Sequence, residues 1–167
     1  MAPTGIITPE MRRLVHEQRL GFVASVRSDG TPNVSPKGTT DVWDDHTLVF
    51  ADLASPRTVA NLRERPDVEV NVVDPLVRKG FRFRGTARVA TEGPEFDQGV
   101  AFFERSGLDG GRERVRAVVY VNVTEAAPLV SPAYDRGGTE EEIRRKWREY
   151  YLARDGNLGN GQSGPMD

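Results

Sequence analysis

Cysteine is absent from the 167 residues, which excludes disulfides, iron–sulfur clusters, thiolate zinc sites and a cysteine nucleophile. Histidine is scarce. The only two, His16 and His46, do not have metal-ligand spacing and adjoin no serine-nucleophile signature, so no metal is expected and no catalytic side chain stands out. An excess of one charge is also lacking: 25 acidic residues face 23 basic ones, a net charge of −2. No field of that size draws in a nucleic acid or an anionic membrane. No run approaches the ~18 apolar residues of a membrane helix, and MAPTGIITPEMRR carries no apolar signal core. The expected location is the cytoplasm. Lysine is rare as well, with Lys37, Lys79 and Lys146 against 20 arginines, so the setting of each lysine is informative.

The composition that remains, 37% hydrophobic and 29% charged with 17 Gly and 11 Pro, is that of an ordinary globular chain of one-domain size. A single domain is expected over residues 1–154. Residues 155–167, rich in Gly, Asn and Ser, are expected to form a disordered tail. Within it GNLGNG has spaced glycines but no preceding strand or following helix, and carries no meaning.

Along the chain, Thr8-Pro9-Glu10 reads as a capped helix start with Met11, Leu14 and Val15 as its apolar stripe. Strands follow over Gly21–Val26, Asn33–Trp43 (interrupted by Pro36 and Gly38) and Leu48–Leu53, joined by turns too short for parallel crossovers, hence an antiparallel meander. A helix spans Ser55–Arg65, and an apolar strand Val68–Val73. Gly80–Ala90 alternates, with Phe81, Phe83, Gly85, Ala87 and Val89 opposite Arg82, Arg84, Thr86 and Arg88. Phe96, Val100 and Phe103 mark another helix, Arg114–Val123 a last strand, and Thr139–Glu142 a capping box before a helix bearing Ile143, Trp147, Tyr150 and Tyr151. The sum is a mainly β (α+β) chain: an antiparallel six-stranded small barrel with peripheral helices. The absence of βαβ alternation excludes a Rossmann sheet.

The most informative segment is Phe50-Ala51-Asp52-Leu53-Ala54-Ser55-Pro56-Arg57-Thr58. A strand end runs through small residues into a helix whose first turn offers free amides, two hydroxyls and a guanidinium, a combination that suits a dianionic phosphate. Upstream, Ser35-Pro36-Lys37-Gly38-Thr39-Thr40 adds a second cation and more hydroxyls. Read alone, Ser55-Pro56 is also an ordinary helix start with Arg57 in water.

Taken together, LGFVASVRSDGTPNVSPKG, LVFADLASPRTVANL, VEVNVVD and GFRFRGTARVATEGPEFDQGVAFF resemble the FMN-binding split-barrel family of pyridoxamine 5'-phosphate oxidase-like proteins. The resemblance spans roughly residues 10–125. It implies a split β-barrel homodimer with FMN at the subunit interface. It also implies that Arg57 and Thr58 grip the phosphate with Ser55 as a further donor, that Ser35, Lys37 and Thr39 lie along the ribityl chain and ring, and that Phe50, Ala51 and Asp52 form the strand end whose backbone meets the flavin. Asn61, one turn beyond Thr58, joins them as a further candidate. Ser35 and Pro56 stand where the oxidase itself carries cations, so pyridoxamine phosphate is not the expected substrate. The expected activity is hydride or electron transfer with a small partner molecule, the flavin supplying the chemistry. Two alternatives remain open: a flavin carrier without a substrate, and the deazaflavin F420 on the same fold. The longer anionic F420 tail needs an extended basic groove, for which Arg78, Lys79, Arg82 and Arg84 are the candidates; the same four also read as a solvated strand face or a salt-bridge network.

Overall fold

Local chemistry sets the first elements of the computed structural model, which describes residues 5–157. Helix α1 (Pro9–Gln18) begins where the Thr8 hydroxyl accepts the Met11 amide at 3.3 Å, and ends at Arg19 in the left-handed region. Strands β1 (Gly21–Val26) and β2 (Pro32–Lys37) form a hairpin whose turn is tied by Asp29, which accepts from the amide and hydroxyl of Thr31. The remaining strands are β3 (Asp41–Val42), β4 (Thr47–Asp52), β5 (Asp67–Asp74), β6 (Lys79–Ala90) and β7 (Ala117–Val130). Helices α2 (Pro56–Glu64), α3 (Gly93–Arg105), α4 (Gly111–Arg114) and α5 (Glu140–Asn157) complete the chain.

The strands form one antiparallel sheet in the order β2-β1-β5-β6-β7-β4-β3. This corrects two expectations. The sheet has seven strands rather than six, and its first strands are not a simple meander, because β1–β2 and β3–β4 are hairpins at opposite edges. The reason lies in the segment read as one interrupted strand. At Gly38–Thr40 the chain turns, with the Thr40 hydroxyl donating to the Lys37 carbonyl at 2.9 Å, and Asp41–Val42 pairs with β4 instead of continuing β2.

That short link also dictates the overall shape. In a flat sheet of seven strands the two edges lie about 29 Å apart, yet the stretch from Lys37 to Asp41 reaches at most about 14 Å. The sheet therefore rolls up. No ladder joins the two edges among the described residues. Instead the Thr39 hydroxyl crosses the seam, accepting from the Ala51 amide at 2.9 Å and standing 3.0 Å from the Ala51 carbonyl. This is a split barrel.

Inside the roll lies a core of Val23, Phe50, Leu62, Val70, Phe83, Val119 and Val121. A second core, Val49, Ala51, Phe96, Val100, Phe103 and Val118, sits between the sheet and α3. Strand β4 contributes to both, Leu48 and Phe50 on one side and Val49 and Ala51 on the other, so its end at Asp52 is held from two sides. On β6 the expected alternation is observed, with Phe83 and Gly85 buried and Arg82, Arg84, Thr86 and Arg88 exposed. A bulge between Arg84 and Gly85 interrupts its pairing with β7. A Cβ at Gly85 would run into the Asn122 carbonyl, so only glycine fits.

The Thr139 capping box forms as read, Glu142 accepting from the Thr139 amide at 3.0 Å and donating its own amide to the Thr139 hydroxyl at 3.3 Å. Of the expected tail, Asp155–Asn157 belong to α5, and residues 158–167 lie outside the described residues.

Candidate functional site

The rolled seam brings the end of β2 against the end of β4. On β2 the pattern is strict: Asn33, Ser35 and Lys37 turn inward while Pro32, Val34 and Pro36 face out. Lys37 is only 5% exposed, and its Nζ has no hydrogen-bond partner. The nearest anion is the buried Asp52 carboxylate, 4.0 Å away, and the Phe50 ring centroid is 5.9 Å away. Burial pulls the Lys37 pKa below its ordinary value, and the Asp52 charge opposes that shift only in part. Asp52 Oδ1 also accepts the Ser55 amide at 2.7 Å. That bond shapes the turn from β4 into α2.

At α2 the first turn is left open. Ser55 makes no side-chain capping bond, and Pro56 has no N–H to satisfy. The Ser55 carbonyl accepts from Thr58 at 3.0 Å and weakly from Val59 at 3.4 Å. Arg57 is exposed, whereas Thr58 is 2% exposed. The structure thus draws Lys37, Thr39, Ala51, Asp52 and Ser55 into one connected group, with Arg57 and Thr58 on the helix turn that follows and Ser35 two residues back on the same face of β2.

Two of the expected residues are turned elsewhere. The Phe50 side chain is fully buried in the inner core, leaving its backbone at the strand. Asn61 donates to the Ser25 hydroxyl at 3.1 Å, and Asn33 donates to the same oxygen at 3.2 Å. Sequence reading missed Ser25. The available signal was a hydroxyl on the inward face of an otherwise apolar strand, in register with Gly21 and Val23.

In the basic cluster at Arg78 and along β6, three of the four cations contact groups of the protein itself, with the buried Arg78 Nε left without a hydrogen bond. The Arg78 guanidinium stacks 3.4 Å from the Trp147 ring centroid, Lys79 pairs with Glu140 at 3.1 Å, and Arg82 pairs with Glu69 at 2.9 Å; Arg84 is exposed. Glu140 holds the Lys79 pKa above its ordinary value. Among the described residues no group of histidine and carboxylate side chains has the arrangement of a metal site, and no helix is long and apolar enough to cross a membrane.

An antiparallel sheet rolled about a short β2–β3 link, with a cation buried at the seam beside an open helix start, defines the class as a split barrel. The family model described as pyridoxamine 5'-phosphate oxidase matches residues 7–129, and the chain belongs to that family. Among solved structures it is similar to tagged HupZ of Group A Streptococcus, at 30% identity and a TM-score of 0.66, over 75% of this chain and 95% of that one. An FMN-binding protein from Syntrophomonas wolfei has 16% identity and a TM-score of 0.60, over 72% and 84% of the two chains. An F420 reductase has 21% identity and a TM-score of 0.57, over 72% and 98%. No curated protein sequence matches the chain significantly.

Proposed function

We propose that the chain is an FMN-binding oxidoreductase whose cofactor lies along the β2–β4 seam, and that it works as a homodimer in the cytoplasm. The observation that carries this reading is the Lys37 ammonium, buried and without a hydrogen-bond partner beside an uncapped helix start. A buried ammonium without a hydrogen bond is costly, and a bound anion or carbonyl oxygen at the seam relieves that cost. In this reading Arg57, Thr58, the Ser55 hydroxyl and the first α2 amides hold the phosphate. Ser35, Lys37 and Thr39 present inward donors to the rest of the nucleotide, while Ala51 and Asp52 fix the strand end against which it rests.

When bound, FMN supplies the hydride and electron chemistry. The protein's part is orientation and field. Lys37 places a positive charge where water is excluded, which favours electron-rich states of whatever lies beside it. Asp52 tempers that charge and, through the Ser55 amide, keeps the turn in register.

FMN is preferred to F420 because three of the four cations that an F420 tail would need are already paired within the chain. The FMN-binding and F420 reductase relatives share the fold and lend support to a flavin or deazaflavin at this place. The aromatic groups first considered for a dimer divide. Phe96 and Phe103 are core, whereas Tyr150 and Tyr151 are exposed. Better support comes from the outer face of β1–β2, where Leu20, Phe22 and Val34 are 41%, 45% and 61% exposed along the edge that carries Lys37.

The visible spectrum of the purified chain tests the cofactor. Two oxidised-flavin bands, retained after reconstitution with FMN, are expected. A single deazaflavin-type band, or failure to take up either cofactor, would overturn the assignment. A sedimentation mass near the monomer's 18.5 kDa at micromolar concentration would exclude the dimer.

A further inference from the structure

The helix proposed to carry the phosphate is short. Its nine residues rest on the rest of the chain through the buried side chains of Val59 and Leu62. Such apolar contacts are non-directional, so they leave the rotation of a helix about its own axis weakly set. The first turn has no side-chain cap, and the bond from Arg63 to the Thr91 hydroxyl, at 3.3 Å, is exposed. A buried directional bond comes one turn into the helix, where Asn61, 9% exposed, donates to Ser25 Oγ at 3.1 Å. Residues three and four apart share a helix face, so Asn61 stands on the same side of α2 as Thr58 and Arg57.

Ser25 is itself fixed by the sheet. It is 3% exposed on β1 and lies directly opposite Asn33 in the β1–β2 register. Asn33 donates to the same oxygen at 3.2 Å, so both acceptor lone pairs of the hydroxyl are in use. Along β2, Asn33, Ser35 and Lys37 succeed one another on the inward face. The preceding inward residue of β1, Val23, belongs to the inner core, and a hydroxyl in such company is offset only by the amides it accepts. One buried oxygen therefore joins the helix that bears Arg57 and Thr58 to the strand that bears Ser35 and Lys37, while standing on neither.

We propose that Ser25 is a positioning residue for the phosphate end of the cofactor site. By holding Asn61 it sets the rotation of α2 and aims Arg57 and Thr58, so that the site selects a phosphorylated flavin over the same flavin without its phosphate. Ser25 acts through the helix and not by contact with the cofactor. The inference rests on the flavin reading above and adds a specificity determinant to it.

Fluorescence titrations of the full chain with FMN and with riboflavin, which lacks the phosphate, test it. Ser25→Ala is expected to weaken FMN binding about five- to tenfold and riboflavin binding less than about twofold, the loss of one directional buried bond being felt only at the phosphate. Asn61→Ala, on a helix that accepts alanine readily, is expected to do the same, and it carries the test if Ser25→Ala does not fold. The double variant is expected to lose no more than either single one, because both act through one bond. Ser25→Thr keeps the hydroxyl, and Ser25 lines a cleft of about 240 Å³ with room for a methyl group, so this variant is expected to keep the preference for FMN. Equal losses for the two flavins would overturn the proposal and mark the bond as support for the fold alone. Unchanged FMN affinity, additive losses in the double variant, or a Ser25→Thr protein that behaves like Ser25→Ala would overturn it as well. Failure of the unaltered chain to bind FMN would instead overturn the flavin reading, and this inference with it.

Discussion

Two places in this molecule hold basic side chains close to aromatic rings and carboxylates, and they treat them in opposite ways. At the junction of the β5–β6 hairpin with α5, Lys79 pairs with Glu140 and Arg144 with Asp74 and Glu140, while Arg78 stacks on Trp147 with its buried Nε left without a hydrogen bond. At the β2–β4 seam, Lys37 is more deeply buried than any of these, yet its carboxylate stands at 4.0 Å and its Nζ has no bond. The first arrangement, mostly carboxylate-paired, fastens a helix. In the second, the ammonium itself is left without a hydrogen bond, and the carboxylate nearest to it also accepts the Ser55 amide. In the proposed reading, the whole charge that the chain buries at the seam is where the cofactor binds.

Removing both charges of the seam breaks the comparison most severely. Lys37→Met combined with Asp52→Asn, which keeps an oxygen for the Ser55 amide, is expected to lower FMN affinity about a hundredfold through loss of a charge-assisted contact. Thermal stability of the cofactor-free protein is expected to hold or rise, because uncharged replacements for a buried pair are often neutral or stabilising. A calorimetric scan that shows a large fall would mean that the pair serves the fold rather than a ligand.

The two lysines also respond to pH with opposite sign. The folded-state pKa of Lys37 lies below the ordinary 10.5, so at neutral pH its burial as a cation weakens the fold. As pH rises from that lowered value towards 10.5 the folded form has already lost a proton that the unfolded chain still binds, and this contribution to stability increases. Lys79 lies above 10.5; its contribution is fully present below 10.5 and is lost as pH climbs through the raised value. Denaturant titrations of the cofactor-free protein across this alkaline range are expected to show a less positive slope in Lys37→Met than in the unaltered chain. An unchanged slope would contradict the burial of that ammonium. The smallest effect is expected from Lys79→Met, which leaves FMN affinity unchanged in a fluorescence titration. A marked loss there would point to the basic strand face as part of the cofactor site.

What the sequence disclosed, and what it hid, follows the reach of the interactions. The alternation along β6, the α3 stripe and the Thr139 capping box depend on neighbours within one or two turns, and they are legible. The helix start at Ser55–Thr58 is legible for the same reason, as cap chemistry written in consecutive residues. The division of Asn33–Trp43 into two strands is not, because β3 leaves β2 only when the sheet closes and offers the edge of β4. The Lys37–Asp52 pair depends on that same closure. The engagement of Arg78 and Lys79 was equally hidden, since Trp147 and Glu140 arrive from a helix more than 60 residues further along the chain. Ser25 shows an intermediate case: its inward position is readable from strand periodicity, but Asn33 and Asn61 meet it only in the folded barrel.

Flavin fluorescence titration of the unaltered chain beside Arg57→Ala tests the seam assignment most directly. Saturable FMN binding is expected, weakened ten- to a hundredfold in the variant, which corresponds to ~1.5–3 kcal/mol for a charge-assisted phosphate contact. Equal affinity in the two proteins would contradict the placement of the phosphate at the start of α2.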